Sequence, residues 1–375
     1  MKKKVALIIN TITIGGRITT IIDIVKVLNK MGIVPDIYAL RWNVTPEKIK
    51  QHFNVDIRFN KHRAFVPFLG FYDLKIALLN LWFRLFRESR YDYLINNNNA
   101  FLWLPKKIKT FTYMYFPRKA RIWEDSISIH LPEKKLNPLQ KIYRFFLRAI
   151  YHFDRWRPNN TVYAISHFSK EQLLKHDPSS FPCGVIYPGN LERFIDEFGP
   201  RKNQVVTVGR FDPQKRQIEQ MQIAQLVPEL PFKIIGAVVG KENQNTFDQC
   251  SAYREAHRIE NVEFIVNASQ QEKDRILRES KFFLHTTIKE PFGLVTIEAM
   301  AMGCIPVVHD SGGSRELVPW EELRFKTKEE AAEKLKALMD RDLTDLQKKV
   351  VDWSRQFTSE KFRQDLEKAF TEFLS

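Results

Sequence analysis

The chain has 375 residues, 44% of them hydrophobic, which is length and core material for two domains. Its three cysteines, Cys183, Cys250 and Cys304, are scattered without metal-ligand spacing, and an odd, sparse count fits a reducing cytoplasm rather than a disulfide framework. No run of about 18 apolar residues occurs, so no transmembrane helix is expected, while the net charge of +15 calls for an anionic partner or a solvated basic face.

The opening "MKKKVALIIN" reads as a first β-strand, not a signal peptide. Its apolar run is only Val5 to Ile9, and "NTITIGG" follows where a small-residue cleavage site would be. "GGRITTIIDIVKVLNKMG" has apolar residues at helical spacing and a glycine stop at Gly32. "VPDIYAL", "DYLINNNN" and "TVYAIS" read as further strands, and "SKEQLLKHD" as a helix. The second half repeats the alternation through "QVVTVGR", "IEQMQIAQLV", "FKIIGAVVG", "NVEFIV", "QEKDRILRES", "KFFLHTT", "GLVTIEAMAMG" and "IPVVHD". Alternating βα units imply parallel sheets with helices on both faces, so two doubly wound α/β domains are expected. The break falls near "YPGNLERFIDEFGPRKNQ", giving a first domain over 1–188, a linker over 189–203 and a second domain over 204–355. The end, "VVDWSRQFTSEKFRQDLEKAFTEFL", reads as one or two amphipathic helices.

Charge divides as the domains do. Residues 1–190 hold 31 Lys and Arg against 13 Asp and Glu, whereas 191–375 hold 28 against 31. The whole basic excess therefore belongs to the first half. "KIYRFFLRAIYHFDRWR" puts Lys141, Arg144, Arg148 and Arg155 on one helical face and Ile142, Phe146, Ala149 and Phe153 on another. This helix and the aromatic-rich segment 65–90 could each lie at a membrane interface or pack on the first sheet, and for 141–157 packing is the preferred reading. For the basic half as a whole, peripheral contact with anionic lipid and a lipid-linked or otherwise anionic acceptor are expected. No nucleic-acid module is present.

Ligands of open α/β sheets bind beyond the carboxyl ends of strands, so the residues there are the site candidates. Gly15 and Gly16 follow the first strand and open a helix, a place where backbone can approach phosphate; the turn is neither a dinucleotide fingerprint nor a P-loop. In "GRFDPQKRQ", Arg210 and Lys215 could clamp a diphosphate or simply cap the next helix. In "KEPFGLVTIEAMAMG", Glu290 sits on a loop and Glu298 about one turn into a helix that Gly303 ends. The amides of Phe292, Gly293 and Leu294 would point from that helix N-terminus into the same crevice. Carboxylates suit sugar diols and amides suit phosphate, so this stretch fits a sugar and a phosphate together. Asp340-Arg341-Asp342 has the form of a metal-holding DxD, but it follows a helix-like segment away from the strand ends and reads as a solvated turn.

Taken together, the Gly-Gly turn, "VGRFDPQK", "EPFGLVTIEAMAMGCIPVV" and "GGSRELV" resemble glycosyltransferase family four. "SHFSKEQL" and "VIYPG" also sit where that family has similar segments. The resemblance implies a GT-B fold, two Rossmann-like domains facing across a cleft, with a C-terminal helix over about 356–375 crossing back to the first domain. It implies retaining transfer of a hexose from a UDP- or GDP-type nucleotide sugar, with no cofactor and no metal. By the same resemblance Glu298 holds the ribose hydroxyls and Glu290 faces the donor sugar. Arg210 and Lys215 offset charge on the departing diphosphate. Gly15 and Gly16 close over the phosphates, and Phe292, Gly293 and Leu294 surround them. Mannosyltransferases of lipid-linked oligosaccharide pathways carry a Tyr-x-His-aromatic-Pro segment, and this chain has "YMYFP", with Tyr115 at the histidine's place. A tyrosine there donates a hydrogen bond but does not carry a proton near neutral pH. The rival readings are another GT-B enzyme, such as a phosphorylase or epimerase, and a degenerate GT-B binding protein.

Overall fold

The first apolar run folds as β1 (Val5–Ile12), buried along almost its whole length, and leads into α1 (Gly16–Lys30). The computed structural model describes residues 3–13, 16–66, 72–123, 138–177, 181–189 and 191–375, so Gly15 lies outside the described residues. They form two units: the residues up to 189 together with Ser359–Ser375, and Leu191–Thr358.

The first unit continues with β2 (Asp36–Trp42), α2 (Pro46–Phe53), β3 (Asn60–Arg63), α3 (Tyr72–Phe86), β4 (Tyr93–Asn96), β5 (Lys109–Met114), α4 (Arg118–Trp123), α5 (Pro138–Tyr151), β6 (Asn160–Ala164), α6 (His167–His176) and β7 (Cys183–Val185). Its sheet is parallel throughout in the order β3-β2-β1-β4-β5-β6-β7. The edges β3 and β7 are short, and β3 reads Asn-Lys-His-Arg, so neither gave an apolar signal in the sequence.

The second unit runs β8 (Lys202–Arg210), α7 (Gln217–Leu226), β9 (Phe232–Ala237), α8 (Gly240–Ala256), β10 (Val262–Val266), α9 (Gln270–Glu279), β11 (Ser280–His285), α10 (Leu294–Ala301), β12 (Ile305–His309), α11 (Ser314–Leu317), β13 (Arg324–Phe325), α12 (Lys328–Met339) and α13 (Thr344–Ser354). Its parallel order is β10-β9-β8-β11-β12-β13. The segment expected as a linker is packed here from Leu191 onward. Ile195 is buried in the second unit's core, with Phe194 and Phe198 against it, and its amide donates to the Ala301 carbonyl at 3.0 Å. Leu191 bridges to Thr358, so the unit closes at its own two ends.

The last helix, α14 (Ser359–Leu374), belongs to the first unit. Phe362, Leu366, Phe370 and Phe373 recur at helical spacing and are buried. Phe370 and Phe373 meet Phe111 of β5 edge-on at 4.9 and 5.5 Å. Arg363 Nη1 reaches Asp23 Oδ1 of α1 at 3.0 Å, and Lys30 pairs with Glu367 at 2.7 Å.

Helix α5 corrects the expected packing. Leu147 and Tyr151 are its buried face, with Ile76, Ala100 and Ile122, while Tyr143 and Ile150 pack partly against them. Ile142, Phe146, Ala149 and Phe153, expected on the sheet, are exposed. The segment has two apolar stripes, and a helix covered on one side buries only one. Arg144 and Arg148 each donate to the Ile122 carbonyl. Among the described residues, no helix is long and apolar enough to cross a membrane.

Candidate active site

In the second unit the strand order reverses between β8 and β11, the switch point where an open sheet leaves a crevice at its carboxyl end. The segments leaving those two strands carry Arg210, Lys215 and Glu290. Asp212 starts a single 3₁₀ turn, Pro213–Lys215, by accepting from the Gln214 amide at 2.9 Å. The Lys215 carbonyl is held by Gln220 Nε2 at 3.0 Å and Thr286 Oγ1 at 2.9 Å, both from buried side chains. With its backbone fixed, Lys215 places Nζ 2.7 Å from Glu290 Oε2.

His285, the last residue of β11, is buried with Nε2 3.4 Å from the same carboxylate oxygen. Burial pushes the Glu290 carboxyl up. The Lys215 ammonium and the His285 contact outweigh that push and hold it well below the usual carboxylate range. Burial, with Lys215 nearby, lowers the His285 pKa despite the opposing pull of Glu290. The centre is therefore an ionised carboxylate paired with Lys215, with a neutral imidazole behind them. Such a carboxylate is a poor proton carrier and a good acceptor for hydroxyls or for developing positive charge.

The loop holding Glu290 is clamped from β12. The Gly313 amide donates to the Glu290 carbonyl at 2.7 Å. A Cβ on Gly312 would lie 2.6 Å from that carbonyl oxygen, and one on Gly313 2.6 Å from the Pro291 oxygen. The glycine pair of "GGSRELV" is thus what lets the two loops touch. Gly293 caps α10 at φ +115°, a conformation favouring glycine, and presents the amides at the start of the helix. Phe292 is buried and packs against Phe357 at 5.7 Å, anchoring the turn. Leu294 opens the helix and Glu298 follows on its second turn.

Glu298 meets Lys273 of α9, Nζ to Oε2 at 2.6 Å. Neither Lys273, inside the helix-like "QEKDRILRES", nor His285, inside a strand, is among the candidates that the sequence offers. A lysine in a charged helix and a histidine in an apolar strand carry no spacing signal; only the fold pairs them with the two glutamates. Arg210 does not join the Lys215–Glu290 pair. Its side chain is 64% exposed and lies 3.7 Å from Asp212. Asp342 of the DxD accepts from the Thr344 amide and hydroxyl at 2.9 and 2.7 Å, as a helix-starting turn does.

In the first unit, Gly16 opens α1 after β1. Tyr115 follows β5 next to the "NNNN" segment. The Asn99 side-chain oxygen accepts from the Tyr115 amide at 3.0 Å, and the Tyr115 carbonyl accepts from Ser169 Oγ at 2.8 Å. Asn96, Asn97 and Asn98 are buried, so this polar run is a structural network at the end of β4.

Residues 190–357, which contain every second-unit candidate, match the family model described as "Glycosyl transferases group 1". This segment is a group 1 glycosyltransferase domain. A mouse GDP-Man:Man(3)GlcNAc(2)-PP-Dol alpha-1,2-mannosyltransferase is 31% identical over 131 residues, 35% of this chain and 26% of its own length. The Dictyostelium discoideum protein of that name is 28% identical over 181 residues, 44% of this chain and 36% of its own. The matches thus span about a quarter to a third of those curated relatives. Among solved structures, WaaG, a glycosyltransferase involved in lipopolysaccharide biosynthesis, superposes with a TM-score of 0.70 at 12% identity over 99% of both chains. Anabaena Alr3699/HepE in complex with UDP and glucose gives 0.68 at 15% identity over 98% of this chain and 99% of its own. At such identities these likenesses concern the fold, and the fold is the GT-B one: the group 1 domain and the first unit are each a Rossmann-like parallel sheet covered by helices.

Proposed function

We propose that the protein is a retaining glycosyltransferase that takes a hexose of the mannose or glucose type from a nucleoside diphosphate sugar and passes it to a glycan, lipid-linked or other anionic acceptor. The observation that carries the reading is the Lys215–Glu290 pair, at 2.7 Å, at the switch point of the group 1 domain beside the α10 amides. Glu290, ionised throughout the working pH range, accepts from donor-sugar hydroxyls. Lys215, Arg210 and the amides of Phe292, Gly293 and Leu294 receive the diphosphate and its leaving-group charge. Glu298, on the next turn, takes the ribose diol. The cations and helix amides together supply the positive field that a metal would otherwise bring, so we infer metal-independent transfer.

The test is a thermal-shift panel of UDP, GDP and their glucose, galactose, GlcNAc and mannose conjugates. A donor at a hundredfold excess over its Kd stabilises the native state by about 2.7 kcal/mol. One nucleotide class should raise the melting temperature, and Glu298→Ala should abolish that rise. No shift with any member in a folded protein would sink the donor site and favour the degenerate binding protein.

The basic first unit fits the cytoplasmic face of an anionic membrane. Leu139, Ile142, Phe145, Phe146 and Phe153 are exposed on and just after α5, and Leu85 and Phe86 at the end of α3, with Arg84 and Arg87 in and beside them. The full chain should sediment with anionic liposomes at low salt, and Phe145→Ser with Phe146→Ser should release it. Failure of the parent protein to sediment would remove the membrane from the proposal.

A further inference from the structure

A cavity of about 450 Å³ opens in the group 1 domain where α7, α8 and α12 converge, lined among others by Pro213, Arg216, Gln217, Gln222, Cys250 and Lys328. That volume is in the range of metabolite-binding sites. Its lining combines apolar residues, Pro213, the exposed Ile218 and the buried Cys250, with amide and charged side chains. Arg216 pairs with Glu219 at this site.

The charged groups lining it are Arg216, Lys328 and Glu219, a net excess of one positive charge. We infer that this cavity binds a small organic anion: an apolar body with one carboxylate, sulfonate or phosphate facing Arg216 and Lys328.

The site sits one residue from the catalytic turn. Arg216 follows Lys215, Pro213 belongs to the same 3₁₀ turn, and Gln217 Nε2 donates to the Arg210 carbonyl at 2.7 Å. A ligand that fixes Arg216 and Gln217 also fixes the backbone carrying Lys215 and Arg210, so it should tighten donor binding. This regulatory consequence rests on the donor-site reading above; binding in the cavity does not.

The probe is 8-anilinonaphthalene-1-sulfonate, titrated by fluorescence into the folded full chain without nucleotide. One saturable site is expected. Gln222→Trp, which fills the cavity, should abolish it, and Arg216→Gln should weaken it at least about tenfold. Circular dichroism checks that both variants fold. The Phe145→Ser, Phe146→Ser protein should keep the site. Absence of a saturable site, its survival in Gln222→Trp, or its loss with the α5 substitutions would each overturn the inference. For the coupling, the nucleotide that shifts the melting temperature is titrated with and without saturating probe. Tighter binding supports the regulatory role and equal affinity removes it, while binding in the cavity is judged by the first titration alone.

Discussion

Replacing Lys215 by Met should lower sugar transfer about a hundred- to a thousandfold, the loss typical of removing one preorganised charge-stabilising group. The same change should destabilise the group 1 domain by about 1–3 kcal/mol. Breaking a fully buried pair costs about 3–5 kcal/mol, and this pair keeps some contact with water. The Lys215 and Glu290 side chains are 24% and 17% exposed. The destabilisation arises because Glu290 is left ionised in a low-dielectric site with only His285 nearby. Adding Glu290→Gln removes that uncompensated charge, so the double variant should regain most of the stability and none of the activity. Urea unfolding and initial rates on the three proteins measure this. Parallel recovery of activity and stability would mean that the pair is only structural.

The pH dependence separates the two roles further. Glu290 is held below the ordinary glutamate value of 4.5, so its contribution is complete above that pH and is lost as pH falls through the folded-state pKa. The stability gap between the parent protein and Glu290→Gln should therefore narrow as pH drops below about 4.5. A gap independent of pH would contradict the assigned charge state.

The second large effect is expected in the first unit. Asp154, 5% exposed, accepts from the Phe101 amide at 2.8 Å. Burial pushes its carboxyl up to about 7, with the Asp177 carboxylate adding to the rise and Lys119 opposing it. Here the folded state binds the proton more tightly than the unfolded chain. Stability therefore falls as pH rises from the ordinary value of 3.8 to about 7, and stays low above it. Asp154→Asn keeps the acceptor for Phe101 and cannot ionise. It should stabilise the unit by about 2–4 kcal/mol at pH 8 and by little at pH 4, since each tenfold difference in proton affinity between folded and unfolded chain is worth about 1.4 kcal/mol. Denaturant unfolding at the two pH values reads this directly. Equal gains at both would show that charge is not the cause.

The long apolar strands and the helices that alternate with them were legible because buried parallel strands read as continuous apolar runs. β1, β2, β8, β9, β11 and β12 all fall where those runs stand. β3 and β13 were not legible: one is four polar residues, the other two residues long. Nor was α8, whose buried positions include Asn243, Thr246 and Cys250 rather than an apolar stripe. Such elements are specified by the neighbours they pair with, and periodicity within one segment contains no record of a neighbour.

By itself the sequence determined the doubly wound class and marked Arg210, Lys215, Glu290 and Glu298 as candidates at strand ends and a helix start, because local patterns encode those places; the family came from a resemblance of motifs. Tertiary structure decided which charges meet. It brought Lys215 to Glu290 across 75 positions and Lys273 to Glu298 across 25. It left Arg210 facing water, turned the apolar face of α5 outward, and set the last helix on the first unit. Ion pairing and burial depend on the distance between atoms from different strands and helices, and that distance exists only once the sheet has fixed the order of its strands.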